Sequence, residues 1–220
     1  MKKTIKKCPR VLAIVIVSLI SFVPFYYTLT MSTHSTDEIM LGVSAIPGKY
    51  LLTNISTALN DTFWVAFKNS LIVSLLSMTG SVLISLMAGY GLVVYQFRLK
   101  RVIYNFVLLT MMVPSVLGII GYMQEMRVLH LSGTLIPLIL IWLPSGFGVF
   151  WITQYLQNSL QMELVESARI DGCNEFMIFA KIVMPCIKPA IISLCLLLFL
   201  WSWNSYLLPL VMINKADNYT

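Results

Sequence analysis

Asn69-Ser-Leu-Ile-Val-Ser-Leu-Leu-Ser-Met-Thr-Gly-Ser-Val-Leu-Ile-Ser-Leu-Met-Ala-Gly-Tyr-Gly-Leu-Val-Val-Tyr-Gln-Phe97 runs without one charged side chain. A hydrocarbon layer about 30 Å thick is crossed by ~20 helical residues, so such a run reads as a helix in a bilayer. The rest of the chain agrees. Of 220 residues, 58 % are hydrophobic and 11 % charged, against about 25 % charged in a soluble domain. Four further runs of the same kind are Val11–Thr30, Val102–Gln124, Leu131–Gln154 and Pro189–Ile213. The expectation is an all-α polytopic membrane protein with five transmembrane helices in a single membrane domain over residues 1–220. In it the first helix covers 11–30, an outer segment 31–68, and the core helices 69–213.

Lysine and arginine set the orientation. Lys2, Lys3, Lys6, Lys7 and Arg10 precede the first run, and Arg98, Lys100 and Arg101 cluster after the second, whereas the outer segment holds only Lys49 and Lys68. Basic residues gather on the cytoplasmic side, which places the N-terminus and the Arg98 loop there. Alternation then puts a charged loop at 158–188 in the cytoplasm and the chain end outside. The first run is longer than a signal-peptide core of ~7–15 residues and no A-x-A-like site follows it, so it reads as an uncleaved helix. The net charge of +6 fits topology and contact with the lipid bilayer, with no nucleic acid as partner. Cys8, Cys173, Cys186 and Cys195 fall on the cytoplasmic side or in the membrane, and none forms a C-x-x-C pair. Neither a structural disulfide nor a metal site is expected.

The charged loop has a definite local grammar. Leu160, Leu164, Val165 and Ala168 make an apolar stripe at helical spacing, opposite Glu163, Glu166 and Arg169. Gly172 suits the left-handed residue that ends a helix, and Asn174 suits the N-cap of the next. Phe176, Phe179, Ile182 and Val183 share a face of that second helix, which should stop before Pro185.

Glu166-Ser-Ala-Arg-Ile-Asp-Gly-Cys173 followed by Ile182-Val-Met-Pro185 resembles the EAA loop, E-A-A-x-x-D-G-A then I-x-L-P, of permease subunits in bacterial binding-protein-dependent ABC importers. Glu166, Ala168, Asp171, Gly172, Ile182 and Pro185 match, while Ser167, Cys173 and Met184 depart by small steps. Phe67-Lys-Asn-Ser-Leu-Ile-Val-Ser74 and Trp201-Ser-Trp-Asn-Ser-Tyr-Leu-Leu208 are similar to the carbohydrate-uptake branch, of maltose and multiple-sugar type, second-permease-like. The resemblance implies a multi-pass protein of the bacterial cell membrane. It implies as partners a second permease subunit, an ATPase subunit dimer and an extracellular solute-binding protein. Glu166, Ser167, Ala168, Arg169, Asp171, Gly172, Ile182 and Pro185 would form the ATPase-coupling loop. The family has a sixth helix, so the end at Thr220 suggests a truncated product, and an inactive or structural permease is the alternative.

The chain carries no G-x-x-x-x-G-K-[ST] phosphate loop, so ATP hydrolysis is expected on a partner and no cofactor on this chain. No catalytic residue is assigned. A membrane-embedded enzyme would need clustered acids, nucleophiles or ligands, and His34 and His130, both placed outside, are the only histidines. No charged side chain lies in the middle of a span, which suits a neutral solute over ion-coupled transport. Trp203, Asn204, Ser205 and Tyr206 are candidates for the solute path, since aromatic faces and amides grip sugars. The branch usually has W-N-E where this chain has Trp203-Asn-Ser205. Tyr90, Tyr95 and Asn105 are weaker candidates. Ser77, Ser81, Ser85 and Gly89 recur every four residues and mark a face where another helix can approach closely.

Overall fold

Two helices of the computed structural model, which describes residues 8–213 and 220, are long and apolar enough to cross a membrane unaided. They are α1 (Cys8–Met31) and α4 (Asp61–Val94). The others are α2 (Thr36–Leu41), α3 (Leu51–Ala58), α5 (Lys100–Met112), α6 (Ser115–Val128), α7 (Ile136–Leu140), α8 (Gly146–Ser159), α9 (Met162–Ile170), α10 (Glu175–Ile178), α11 (Met184–Cys186), α12 (Lys188–Trp203) and α13 (Leu207–Met212). No strand occurs among the described residues. The basic cluster Lys2, Lys3, Lys6 and Lys7 and residues 214–219 lie outside them.

The architecture is all-α, but five unbroken spans are not found among the described residues. The run Val102–Gln124 divides into α5 and α6, which meet at 98°. Pro114 is the cause: it has no N–H to donate, and it holds Val113 extended at φ −81°, ψ 122°. The run Leu131–Gln154 divides into α7 and α8, separated by a turn through Pro144. Ser145 opens α8 by accepting the Gly148 N–H at 3.0 Å. In the last run α12 ends at Trp203 and α13 follows from Leu207, and the stretch Glu175–Cys186 meets α12 at 82°. The described residues thus hold two straight candidate spans, or up to four if each bent pair crosses as one. The second span also starts early, at Asp61 and not at Asn69.

The chain divides into two compact units, Met1–Trp64 and Val65–Thr220. In the first, the apolar window of α1 buries none of its residues. The segment after α1 folds back on the helix end: Tyr26 donates to the Ala45 carbonyl at 2.6 Å, and Asn54 donates to the carbonyls of Ser32 and His34 at 2.9 and 2.8 Å. The His34 ring bridges the Ile46 carbonyl and Glu38, both at 2.8 Å. Both acceptors favour its charged form, the backbone carbonyl first, and hold its pKa above the ordinary value. Leu51, Leu52 and Ile55 lie in α3 over Leu51–Ala58, with Leu59 as its C-cap.

In the second unit α4, from Val65 onward, is the spine. At 34 residues it is about 51 Å long, well beyond the hydrocarbon thickness. One cluster of buried side chains joins Val82, Leu86, Tyr90 and Val94 of α4 to Ile152 and Leu156 of α8, Val165 of α9 and Leu194 of α12. A second joins Val73 to Met126, Leu138, Leu208 and Met212. Between them the helices approach closely. A Cβ at Gly89 would lie 2.6 Å from Ile152, and one at Gly148 would overlap Ser85. Only glycine lets α4 and α8 pack at this separation.

Candidate functional site

The helical hairpin 162–186 is built from short-range chemistry. Helix α9 ends in a left-handed Gly172, φ +78°. The Cys173 N–H donates to the Ala168 carbonyl at 3.0 Å and the Gly172 N–H to the Arg169 carbonyl at 3.1 Å, the paired bonds of a Schellman motif. Asn174 then caps α10 by accepting the Met177 N–H at 2.8 Å. The second helix does not stop before Pro185, as the sequence suggests. It widens into a π-helical turn over Phe179–Val183, and Met184 donates back five residues to Phe179. That turn absorbs the irregularity a proline imposes, so α11 carries Pro185 in its first turn, where no N–H is needed.

The hairpin buries one face and exposes another. Leu160, Val165, Ala168, Ile178 and Val183 enter the α4 core cluster, with Ile182 half-buried beside them. Leu164 leaves the predicted stripe and is exposed. Glu166, Ser167, Arg169, Asp171, Gly172 and Pro185 are exposed, together with the apolar Ile170 (86 %) and Phe176 (78 %). Glu166 forms no ion pair with any described residue. The exposed face of the two-helix frame is thus mixed, charged at Glu166, Arg169 and Asp171 and apolar at Ile170 and Phe176.

Sequence reasoning passed over the residue that ties the hairpin to the spine. Glu175 Oε2 accepts the hydroxyls of Tyr90 at 2.6 Å and Tyr95 at 2.7 Å, and its Oε1 accepts Arg169 Nε at 2.8 Å. The Arg169 guanidinium also lies 5.8 Å from the Tyr95 ring centre, and Tyr90 packs edge-on against Phe179 at 5.3 Å. Arg169 first, then the two phenols, hold the Glu175 carboxyl down to about 2. Tyr90 and Tyr95 are therefore committed to the hairpin and not to a solute. An acid directly after an N-cap was the available signal, but its phenolic partners are 80 and 85 residues away.

The other end of α4 is different in kind. Trp203 stacks on Phe199 and meets Phe67 edge-on at 5.6 Å. With Ser70, Ser74, Trp142, Ser202 and Ser205 it lines a cavity of about 60 Å³. Ser74 and Ser202 are buried there with no hydrogen-bond partner among the described residues. Asn204 does not line this cavity, because its amide turns back to the Leu200 carbonyl at 2.7 Å. Tyr206 is exposed and borders an adjoining groove with Ser205. Asn105 is exposed. Ser77, Ser81, Ser85 and Gly89 are buried along the middle of α4, with Ser85 and Gly89 against α8.

Comparison with known proteins follows the same outline. The profile of the family described as "Binding-protein-dependent transport system inner membrane component" matches residues 80–219. The chain is 34 % identical over 190 residues to the "Arabinooligosaccharides transport system permease protein AraQ" of Halalkalibacterium halodurans, covering 84 % of this chain and 68 % of that one. It is 32 % identical to the protein of the same name from Bacillus subtilis, covering 92 % of this chain and 74 % of that one. Among solved structures it superposes with a TM-score of 0.85 on a chain of a bacterial ABC transporter involved in the import of the acidic polysaccharide alginate. That match covers 99 % of this chain and 78 % of the other at 22 % identity, and speaks to fold alone.

Proposed function

This chain belongs to the family of binding-protein-dependent transport system inner membrane components, and from that premise we propose that it forms half of the translocation path for a neutral sugar, an oligosaccharide above all. Its relatives named for arabinooligosaccharides motivate the solute class, and the absence of charge within the apolar runs agrees with it. The working complex contains a second permease subunit, two ATPase subunits and an extracellular solute-binding protein. Both compact units are parts of one transmembrane domain, with the N-terminus and the hairpin in the cytoplasm.

The observation that carries this reading is the hairpin itself: a docking edge around Glu166, closed by Gly172, and bonded through Glu175 to the end of the long helix. ATP-driven approach of the two ATPases pulls on that edge, and the bonded end of α4 carries the displacement into the membrane. The inward- and outward-facing states need lie only a few kcal/mol apart for nucleotide and solute to exchange their populations. Reconstitution of the complete complex tests it. Wild type takes up labelled sugar with ATP, whereas Glu166→Lys and Gly172→Pro assemble but abolish uptake. Unchanged uptake in both variants removes the coupling role, and a fully assembled wild type that transports nothing leaves a structural subunit.

A further inference from the structure

The basic loop after α4 borders a second feature that the transport cycle does not use. Arg98, Lys100, Arg101, Tyr104, Thr153 and Gln157 line an open cleft of about 290 Å³ where the end of α4, the start of α5 and the side of α8 converge. No lining residue is acidic, and neither arginine is paired with a carboxylate of any described residue. Lys100 holds the Val93 and Tyr95 carbonyls at 3.3 and 3.2 Å, which fixes its ammonium at the cleft with a donor to spare. Helix α5, of 13 residues, begins here at Lys100 with no side-chain cap from Leu99; the Lys100 N–H donates to the Phe97 carbonyl at 3.2 Å, and the N–H groups after it have no side-chain acceptor. Tyr104 accepts from Gln154 at 3.0 Å and keeps its own hydroxyl proton free. Thr153 supplies an independent sign: it is 1 % exposed, its hydroxyl has no partner among the described residues, and it lines the same cleft. Cations, an uncapped helix start and an orphaned hydroxyl together describe an anion site, a phosphate fitting best.

The cleft does not end in water on all sides. Leu92 and Phe97, which form its wall, also border a groove of about 410 Å³ completed by Ala88, Gly91, Ile103, Val107 and Val149. That groove has no polar lining residue other than Tyr95. A phosphate site continuous with an apolar channel of this size matches one molecule that carries both chemistries.

We propose that cleft and groove together bind one anionic glycerophospholipid of the cytoplasmic leaflet, its phosphate in the cleft and an acyl chain along the groove. The leaflet rests on the orientation given under the proposed function. Bound there, the lipid would sit against the end of α4 that Glu175 ties to the hairpin.

Native mass spectrometry of the whole importer, with phosphatidylglycerol and phosphatidylcholine as probes, tests the site. Wild type is expected to retain phosphatidylglycerol in preference. Arg98→Gln with Arg101→Gln should weaken that retention about thirtyfold, the equivalent of ~1 kcal/mol for each basic side chain beside an anionic leaflet. Gly91→Trp should weaken retention of both lipids, since a side chain at Gly91 meets nothing within 4 Å and would enter the groove. Equal retention of the two lipids by wild type overturns the proposal. So does glycerol phosphate binding as tightly as the whole lipid, which would mean a soluble phosphate ligand. A disulfide from Gly91→Cys to a helix of the second permease also overturns it, because protein then fills the groove. Labelling of Arg98→Cys by an impermeant maleimide from outside the cell overturns the leaflet, and distinguishes a wrong orientation from a wrong site.

Discussion

The two ends of α4 hold polar groups in opposite ways. At Tyr90 the polar groups meet: two phenols and the Arg169 Nε–H converge on one carboxylate within 2.8 Å. At Ser74 buried hydroxyls have no partner among the described residues, and a small cavity opens beside them. A satisfied network fixes geometry, whereas the unpartnered Ser74 and Ser202 border open space. One end is thus suited to transmitting a displacement, and the other to accommodating a change. Between them the close glycine contacts with α8 keep the spine from flexing independently of its neighbour.

The largest effect should come from breaking that middle. Gly89→Leu would drive a branched side chain into Ile152, whose Cβ is already 3.1 Å from where a Gly89 Cβ would sit. Overpacking costs about 1–3 kcal/mol where neighbours can yield, and two rigid helix backbones yield little. Thermal unfolding of the detergent-solubilised complex should fall clearly, and uptake should be lost at both ends together. If unfolding is unchanged, α4 and α8 are not rigidly paired.

Next in size is the hub. Glu175→Ala leaves Arg169 and two phenols without their acceptor and should cost about 1–2 kcal/mol, the lower part of the range for charged hydrogen bonds because the pair is partly exposed. Its sharper signature is functional. On the proposed coupling, uptake in proteoliposomes should fall about tenfold while ATP hydrolysis persists, because an ATPase that still grips the hairpin would no longer move α4. Proportional loss of both activities would make Glu175 a folding residue only. Glu175→Gln separates charge from shape, and its rate should lie between wild type and Glu175→Ala.

The same carboxylate predicts a pH dependence of definite sign. Its folded value of about 2 lies below the ordinary 4.5. A depressed carboxylate stabilises the fold fully above the unfolded value and loses that contribution as pH falls through the folded one. Thermal stability of the wild type should therefore decline between about pH 4.5 and 2 more steeply than that of Glu175→Gln, and the two should run parallel above pH 5. Parallel curves throughout would mean that the hub is open in solution.

These contrasts also explain what could be read from the residues alone. The hairpin was legible because its signals are local: Gly172 and Asn174 act on backbone groups within five residues, and they do so here. The membrane setting was legible because apolar run length needs no tertiary knowledge. The straightness of each run was not. Pro114 and Pro144 were visible, yet whether a proline kinks a helix or ends it depends on which neighbours take up the freed carbonyls. Glu175 stayed hidden because Tyr90 and Tyr95 reach it across the fold, and an acid in a first helical turn looks like ordinary dipole compensation. The cavity beside Trp203 was half-seen. The aromatic and Ser205 were marked, but Ser70, Ser74 and Trp142 join them only once α4 and the α7–α8 turn are in place.

The smallest expected effect is the one that discriminates best at that cavity. A buried hydroxyl with no acceptor carries a desolvation penalty of roughly 1–3 kcal/mol that a methyl group does not. If the Ser74 side chain is truly unpartnered, Ser74→Ala should leave stability unchanged or raise it by up to about 1 kcal/mol, the opposite sign from Glu175→Ala. Ser202→Ala should behave alike. If instead water or a sugar hydroxyl completes the bond during transport, Ser74→Ala destabilises the complex slightly or raises the solute concentration for half-maximal uptake while the maximal rate holds. A stability gain with unaltered uptake kinetics would show the cavity to be a packing gap, and would move the search for the solute path to the groove at Ser205 and Tyr206.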